Sequence, residues 1–120
     1  MSWIVDFHPL FVTEYRAFSE GVQDELLAEI ELLETYGPHL SRPHADTLNN
    51  SKHSNMKELR FQADDGVWRV AFAFDPRRSA ILLVAGDKSG GNERRFYRQL
   101  IRKADERFDD HLARLKDERP

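Results

Sequence analysis

Lys57-Glu58-Leu59-Arg60-Phe61-Gln62-Ala63, then Asp64-Asp65-Gly66, then Val67-Trp68-Arg69-Val70-Ala71-Phe72-Ala73-Phe74 is the stretch that decides the fold. Both runs alternate apolar and polar or small residues with period two, the mark of strands with unlike faces. Asp75-Pro76-Arg77-Arg78 is a second turn. After it, Ala80-Ile81-Leu82-Leu83-Val84-Ala85 is continuously apolar, as in a strand covered on both faces. Three strands joined by tight turns predict an antiparallel meander. A two-residue turn at Asp65-Gly66 sets Leu59 against Phe72, Phe61 against Val70 and Ala63 against Trp68. A four-residue second turn sets Val70 against Leu83, Phe72 against Ile81 and Arg69 against Val84. Phe61, Trp68, Val70, Phe72 and Phe74 then share a large apolar face. By parity, Leu82, Val84, Gly86 and Lys88 share the other face with Arg60, Arg69, Ala71 and Ala73. That face reads as a shallow electropositive cup. Arg69 points away from the apolar face, so Arg69→Ala is expected to spare the fold.

The flanks complete an α+β pattern. Trp3-Ile4-Val5-Asp6-Phe7 is a short strand ended by His8-Pro9. Phe11, Tyr15 and Phe18 recur at helical spacing, as do Val22, Leu26, Ile30 and Leu33, with a break expected at Gly21 and a stop at Gly37-Pro38. Residues 38–56 show no period and read as a long exposed loop. A last helix starts at an Asn92 N-cap and carries an apolar stripe of Phe96, Leu100, Ala104, Phe108, Leu112 and Leu115. The expected order is β-α-α-β-β-β-α: a small, mainly antiparallel sheet with an N-terminal helical pair and a C-terminal helix. At 120 residues the chain, 1–120, is expected to form one domain.

Composition narrows the function. The chain has no cysteine, which excludes disulfides, thiolate metal sites and a cysteine nucleophile. No apolar run approaches the ~20 residues of a membrane span, and the first residues lack a signal-peptide pattern, so a cytoplasmic location is expected. The net charge of -3 hides a segregation: residues 1–36 carry one base and eight acids, whereas residues 37–103 carry thirteen bases and seven acids. A basic middle in an acidic chain points to a local anion site. His8, His39, His44, His53 and His111 have no metal-ligand spacing, so neither metal nor cofactor is expected. Lys57, Arg60, Arg69 and Lys88 converge without an obvious acidic partner, an arrangement suited to a phosphodiester. The loop 86–91 lacks the spacing of a nucleotide-binding loop, but its backbone can still hold one phosphate. Tyr97 lies near the centre of the apolar arc of its helix, which favours packing over chemistry. His53 becomes a proton donor only if its loop folds over the cup.

Met56-Lys57-Glu58-Leu59-Arg60-Phe61, Gly66-Val67-Trp68-Arg69-Val70-Ala71-Phe72 and Leu83-Val84-Ala85-Gly86-Asp87-Lys88, in this order, resemble the RelE/ParE toxin superfamily, and within it the phage-derived HigB-type toxins. The resemblance covers residues 3–108. It implies a RelE-like fold and the toxin of a type II toxin–antitoxin pair. It further implies a metal-independent endoribonuclease that cuts mRNA on the ribosome by attack of a 2′-hydroxyl on the scissile phosphate. A helix-turn-helix, HigA-like antitoxin is the implied partner, besides ribosome and mRNA. Arg60 and Arg69 match the family's strand arginines, Lys88 its basic residue after the last strand, and Lys57 a position that often carries a base. Lys52, His53, Arg94, Arg95 and Arg98 are then expected to contact RNA or ribosome. The long last helix replaces the short end on which RelE carries its tyrosine, so the role does not transfer to Tyr97. The other reading is a ParE-type toxin that binds and inhibits DNA gyrase without catalysis.

Overall fold

A computed structural model describes residues 2–118. Strand β1 (Val5–Phe7) leads into helices α1 (Pro9–Arg16) and α2 (Glu20–Tyr36). A 3₁₀ turn (Gly37–His39) and a short strand β2 (Ala45–Thr47) precede the meander β3 (Lys57–Ala63), β4 (Gly66–Phe74) and β5 (Ala80–Asp87). Helix α3 (Glu93–Asp117) ends the described chain. The five strands lie in the order β1-β5-β4-β3-β2. All pairs are antiparallel except β1 with β5. The expected α+β architecture is present, with β2 as an added edge.

The two sheet faces carry two cores. Leu59, Phe61, Val70, Phe72 and Leu82 face α1 and α2, meeting Phe11, Val22, Leu26 and Leu33. Ala71, Ala73, Ile81, Leu83 and Val84 face α3, meeting Leu100, Ala104 and Phe108. The alanine face is therefore not an open cup. Ala71 and Ala73 are fully buried beneath α3. Gly86 belongs to the same seat, since a Cβ there would lie 2.7 Å from the Phe96 ring.

The register departs from the sequence reading in two ways. Leu59 pairs with Val70, Arg60 with Arg69 and Phe61 with Trp68, because the turn is Asp64-Asp65 rather than Asp65-Gly66. Both aspartates take left-handed backbone, with φ of 48° and 62°. Such a turn suits a two-residue hairpin, and aspartate tolerates that region better than most residues. The slip is two residues, so the side chains of β3 and β4 keep their expected faces. Between β4 and β5 the register shifts at Ala71/Phe72: Ala71 faces Val84, whereas Phe72 faces Leu82. This bulge turns Leu82 to the α1–α2 side, against the parity expectation, while Val84 and Gly86 stay beside Arg69.

The helical break falls at Ala17–Ser19, and Ser19 caps α2 by accepting from the Val22 amide. Gly21 lies inside the first turn of α2. A Cβ there would come within 2.4 Å of the Asp64 carboxylate, so glycine permits hairpin and helix to meet. The 38–56 segment is no exposed loop, because Leu40, Ala45, Leu48 and Met56 are buried. Those residues are single apolar anchors without a period, so alternation could not reveal them.

Polar contacts fasten the far half of α3. Arg107 donates to both carboxylate oxygens of Glu14, at 2.8 and 2.6 Å, and to the Leu83 carbonyl. His111 meets Asp75 at 2.8 Å, and buried His8 meets Asp110 at 2.9 Å. His8 also caps α1 by accepting from the Leu10 amide.

Overpacking the α3 seat should be costly. Ala73→Leu is expected to lower unfolding stability by about 1–3 kcal/mol in a urea titration. A neutral result would show that α3 lies loosely on the sheet. Burial, joined by Arg114 and Arg107 and opposed by Asp110, holds the His8 imidazole below its ordinary pKa of 6.5. The unfolded chain therefore takes up this proton first, and stability drops as pH falls through about 6.5 until folded His8 protonates too. His8→Asn keeps a capping side chain and removes the titration. Its stability should fall less steeply than that of the native chain between pH 7 and 5.5; parallel curves would exclude His8 as the titrating group.

Candidate functional site

Three parts of the chain meet at the N-terminal end of α3. Strand β3 brings Glu58 and Arg60 on one face, β4 brings Arg69 opposite Arg60, and the loop after β5 brings Lys88. The first turns of α3 add Glu93, Arg94, Tyr97 and Arg98, and the stretch 46–50 closes the far wall. All of these but Arg69, which lies buried, bound an open cleft of about 710 Å³. Five cations (Arg42, Arg60, Lys88, Arg94 and Arg98) and three carboxylates (Asp46, Glu58 and Glu93) line it. Its charge is thus net positive.

The floor is a buried polar cluster. Glu58 is 4% exposed and Arg69 6%. The Tyr97 hydroxyl donates to Glu58 Oε1 at 3.0 Å and accepts from Arg69 Nε at 3.2 Å. Arg60 Nη1 donates to Glu58 Oε2 at 2.8 Å. Arg69 Nη1 also donates to the Trp68 carbonyl at 2.9 Å. No buried side-chain nitrogen or oxygen among the described residues lacks a partner, and the phenol is held from both sides. Burial first, and then the Glu58 carboxylate, raise the Tyr97 pKa above 10, with Arg69 opposing. The phenol therefore holds its proton at neutral pH. Lys88 Nζ lies 6.0 Å from the Tyr97 ring centre and donates to Glu93 Oε1 at 2.5 Å.

The predicted cations separate into groups. Arg60, Arg69 and Lys88 do come together. Lys57 does not: it shares the Phe72 side of the sheet, and its ammonium donates to the Pro38 carbonyl at 3.0 Å. Arg94 and Arg98 line the cleft, while Arg95, between them on the helix, is exposed and lies outside it. Lys52 and His53 are held elsewhere, both on Asp109, at 2.5 and 2.8 Å. The His53 ring also packs edge-on against Phe108. Phe108 lies eleven residues beyond Tyr97, about 16 Å along the helix. The loop folds onto α3 but not over the site, so His53 is no donor to it.

The cations are not without acidic partners. Glu58 serves Arg60 and Arg69, and Glu93 serves Lys88. Strand parity carried the signal for Glu58, since residues 58 and 60 share a face. Tyr97 was legible only as a core residue. It is half-buried, with its ring among apolar neighbours and its hydroxyl at the polar floor. A helical wheel shows the first property and cannot show the second.

The profile of the phage-derived Gp49-like protein family matches residues 13–109. HigB2 of Mycobacterium tuberculosis is 47% identical over 126 aligned residues, covering all of this chain. HigB3 of the same organism is 45% identical over 97 residues, covering 81% of the chain. The chain spans 59% of the length of HigB2 and 82% of that of HigB3. Among solved structures, a mutant Escherichia coli toxin RelE in the free state aligns with a TM-score of 0.61 at 12% identity, over 86% of this chain and 97% of that one. RelE from an archaeal RelE–RelB complex of Pyrococcus horikoshii aligns with a TM-score of 0.55 at 16% identity, over 76% and 100%. These two likenesses concern the fold.

Arg69 is buried on the α3 side of the sheet, so Arg69→Ala is expected to destabilise the chain rather than leave its stability unchanged. It takes a cation from Glu58 and donors from Tyr97 and the Trp68 carbonyl. The expected loss is about 3 kcal/mol, the low end for breaking a buried ion pair, because Arg60 still holds Glu58. Urea unfolding of this variant checks it; native stability would mean that Arg69 adds nothing to the floor.

Proposed function

The chain belongs to the phage-derived Gp49-like family, a HigB-type branch of the RelE-like toxins, and from that premise we propose that it is the toxin of a type II toxin–antitoxin pair that cuts mRNA on the ribosome. The observation that carries this reading is the cationic cleft whose floor holds the Tyr97 phenol between Glu58 and Arg69. A site that only gripped a protein would have no need for a proton-bearing group fixed among phosphate-binding cations.

In the proposed reaction the ribose 2′-hydroxyl attacks the adjacent phosphorus and the bond from phosphorus to the 5′-oxygen breaks. Glu58 accepts the 2′-hydroxyl proton. Tyr97 gives its proton to the departing 5′-oxygen. The 3.0 Å hydrogen bond between the two then returns the proton from Glu58 to Tyr97. Arg60 and Lys88 oppose the charge that grows on the phosphate, as fixed cations do most effectively. Arg94 and Arg98 bind flanking phosphates, and Arg69 positions Tyr97. In this scheme the base is Glu58 rather than Lys57, whose ammonium is engaged on the opposite side of the sheet. Lys52, Arg95 and His53 remain for contacts with the ribosome outside the cleft. A helix-turn-helix antitoxin with an acidic segment would neutralise the toxin in the cytoplasm by covering the cleft.

Expression without a partner should arrest growth and fragment translated messages. Tyr97→Phe keeps the ring and removes only the hydroxyl. It should cut the cleavage rate by about 10²–10⁴-fold, the usual worth of a general acid, with native circular dichroism. Cleavage at the native rate would remove Tyr97 from the mechanism. Loss of DNA supercoiling with intact messages would favour gyrase as the target.

A further inference from the structure

The cleft's ion pairs are of two kinds. Glu58 is buried and forms part of the floor. The Glu93 side chain, in contrast, is 64% exposed, and its only hydrogen-bonding partner among the described residues is Lys88, whose side chain is 21% exposed. Glu93 is the first residue of α3, next to the Asn92 cap. An acid there is ordinarily explained by the helix dipole. That explanation requires no contact with Lys88. Yet the carboxylate reaches back over the loop 88–92 to the one lysine that lines the cleft. The hydrogen bond and charge of Lys88, and after them the charges of Arg69 and Arg60, hold its carboxyl below the ordinary value.

A carboxylate so placed sets one anionic oxygen on the Lys88 ammonium, as a phosphate would. We propose that Lys88 is a seat for one phosphate of a bound strand and that Glu93 occupies this seat in the free chain as a built-in competitor, displaced when the strand binds. The proposal rests on the RNA-cleft reading given above. An exposed ion pair is weak, so the competitor is removable and imposes only a small penalty on binding. Glu93 needs no backbone movement to leave, since its side chain already borders solvent.

The test measures binding of a ten-nucleotide single-stranded RNA, made uncleavable by 2′-O-methyl riboses, to the full chain at low salt. Glu93→Gln should tighten binding about two- to fivefold, the span expected for an exposed ion pair. The gain should vanish in a Lys88→Met background, because no seat remains to compete for. Glu106→Gln, an exposed acid farther along α3, should change affinity little. A gain of equal size with and without Lys88 would overturn the proposal, since it would reflect only the loss of a negative charge near RNA. No gain at all would overturn it too, leaving Glu93 as a helix-end residue. If Arg60→Ala binds the RNA as well as the native chain, the RNA-cleft reading itself fails and the competitor falls with it. Weakened binding by Arg60→Ala together with an unmoved Glu93→Gln would sink the competitor alone.

Discussion

Ala71 and Ala73 project from β4 toward α3, and Gly86 of β5 adds no side chain beside them. The helix can therefore lie close against the sheet, with Leu100, Ala104 and Phe108 filling the gap. Close packing of this kind leaves little freedom in helix position, because interiors are filled to crystal-like density. Arg107, His8 and His111 fix the far half through Glu14, Asp110 and Asp75. The near half then has one place to go. It carries Tyr97 to the strand carboxylate and guanidinium, and its arginines to the rim of the cleft.

Burying Glu58 and Arg69 is expensive, since each loses its hydration. The molecule offsets this by pairing the buried atoms. Glu58 is served by Arg60 and Tyr97, and Arg69 by Tyr97 and the Trp68 carbonyl. The return is geometric: a phenol that cannot turn away from its partners. Such fixed groups suit reaction chemistry, because no reorganisation is needed when charge develops.

Charge is divided by the sheet. The acid-rich N-terminal segment forms the edge strand β1 and the two helices that cover one face, while the cations at 60, 88, 94 and 98 gather on the other. A polyanion approaching this molecule is attracted to one side and repelled from the other. The individual cations are nevertheless moderated by Asp46, Glu58 and Glu93. The field is set by the whole arrangement rather than by a row of unpaired bases.

The sequence by itself determined the three meander strands, the helices and which side chains of β3 and β4 share a face. Those properties follow from local periods of two and 3.6, and a register slip of two residues leaves them unchanged. The family was legible as well, from the strand blocks 56–61, 66–72 and 83–88. Tertiary structure decided what lies over each face. Period two says that Ala71 and Arg69 are on one side, but not that a helix 25 residues long seats on the alanines. It decided the bulge that turned Leu82, the placement of Lys57 on the far side, and the attachment of His53 to Asp109. Above all it brought the Tyr97 hydroxyl to the floor of the cleft. Its ring obeys the apolar stripe, and its oxygen meets two side chains 28 and 39 positions earlier in the chain. Contacts at such separation arise from packing between elements, and no local pattern encodes them.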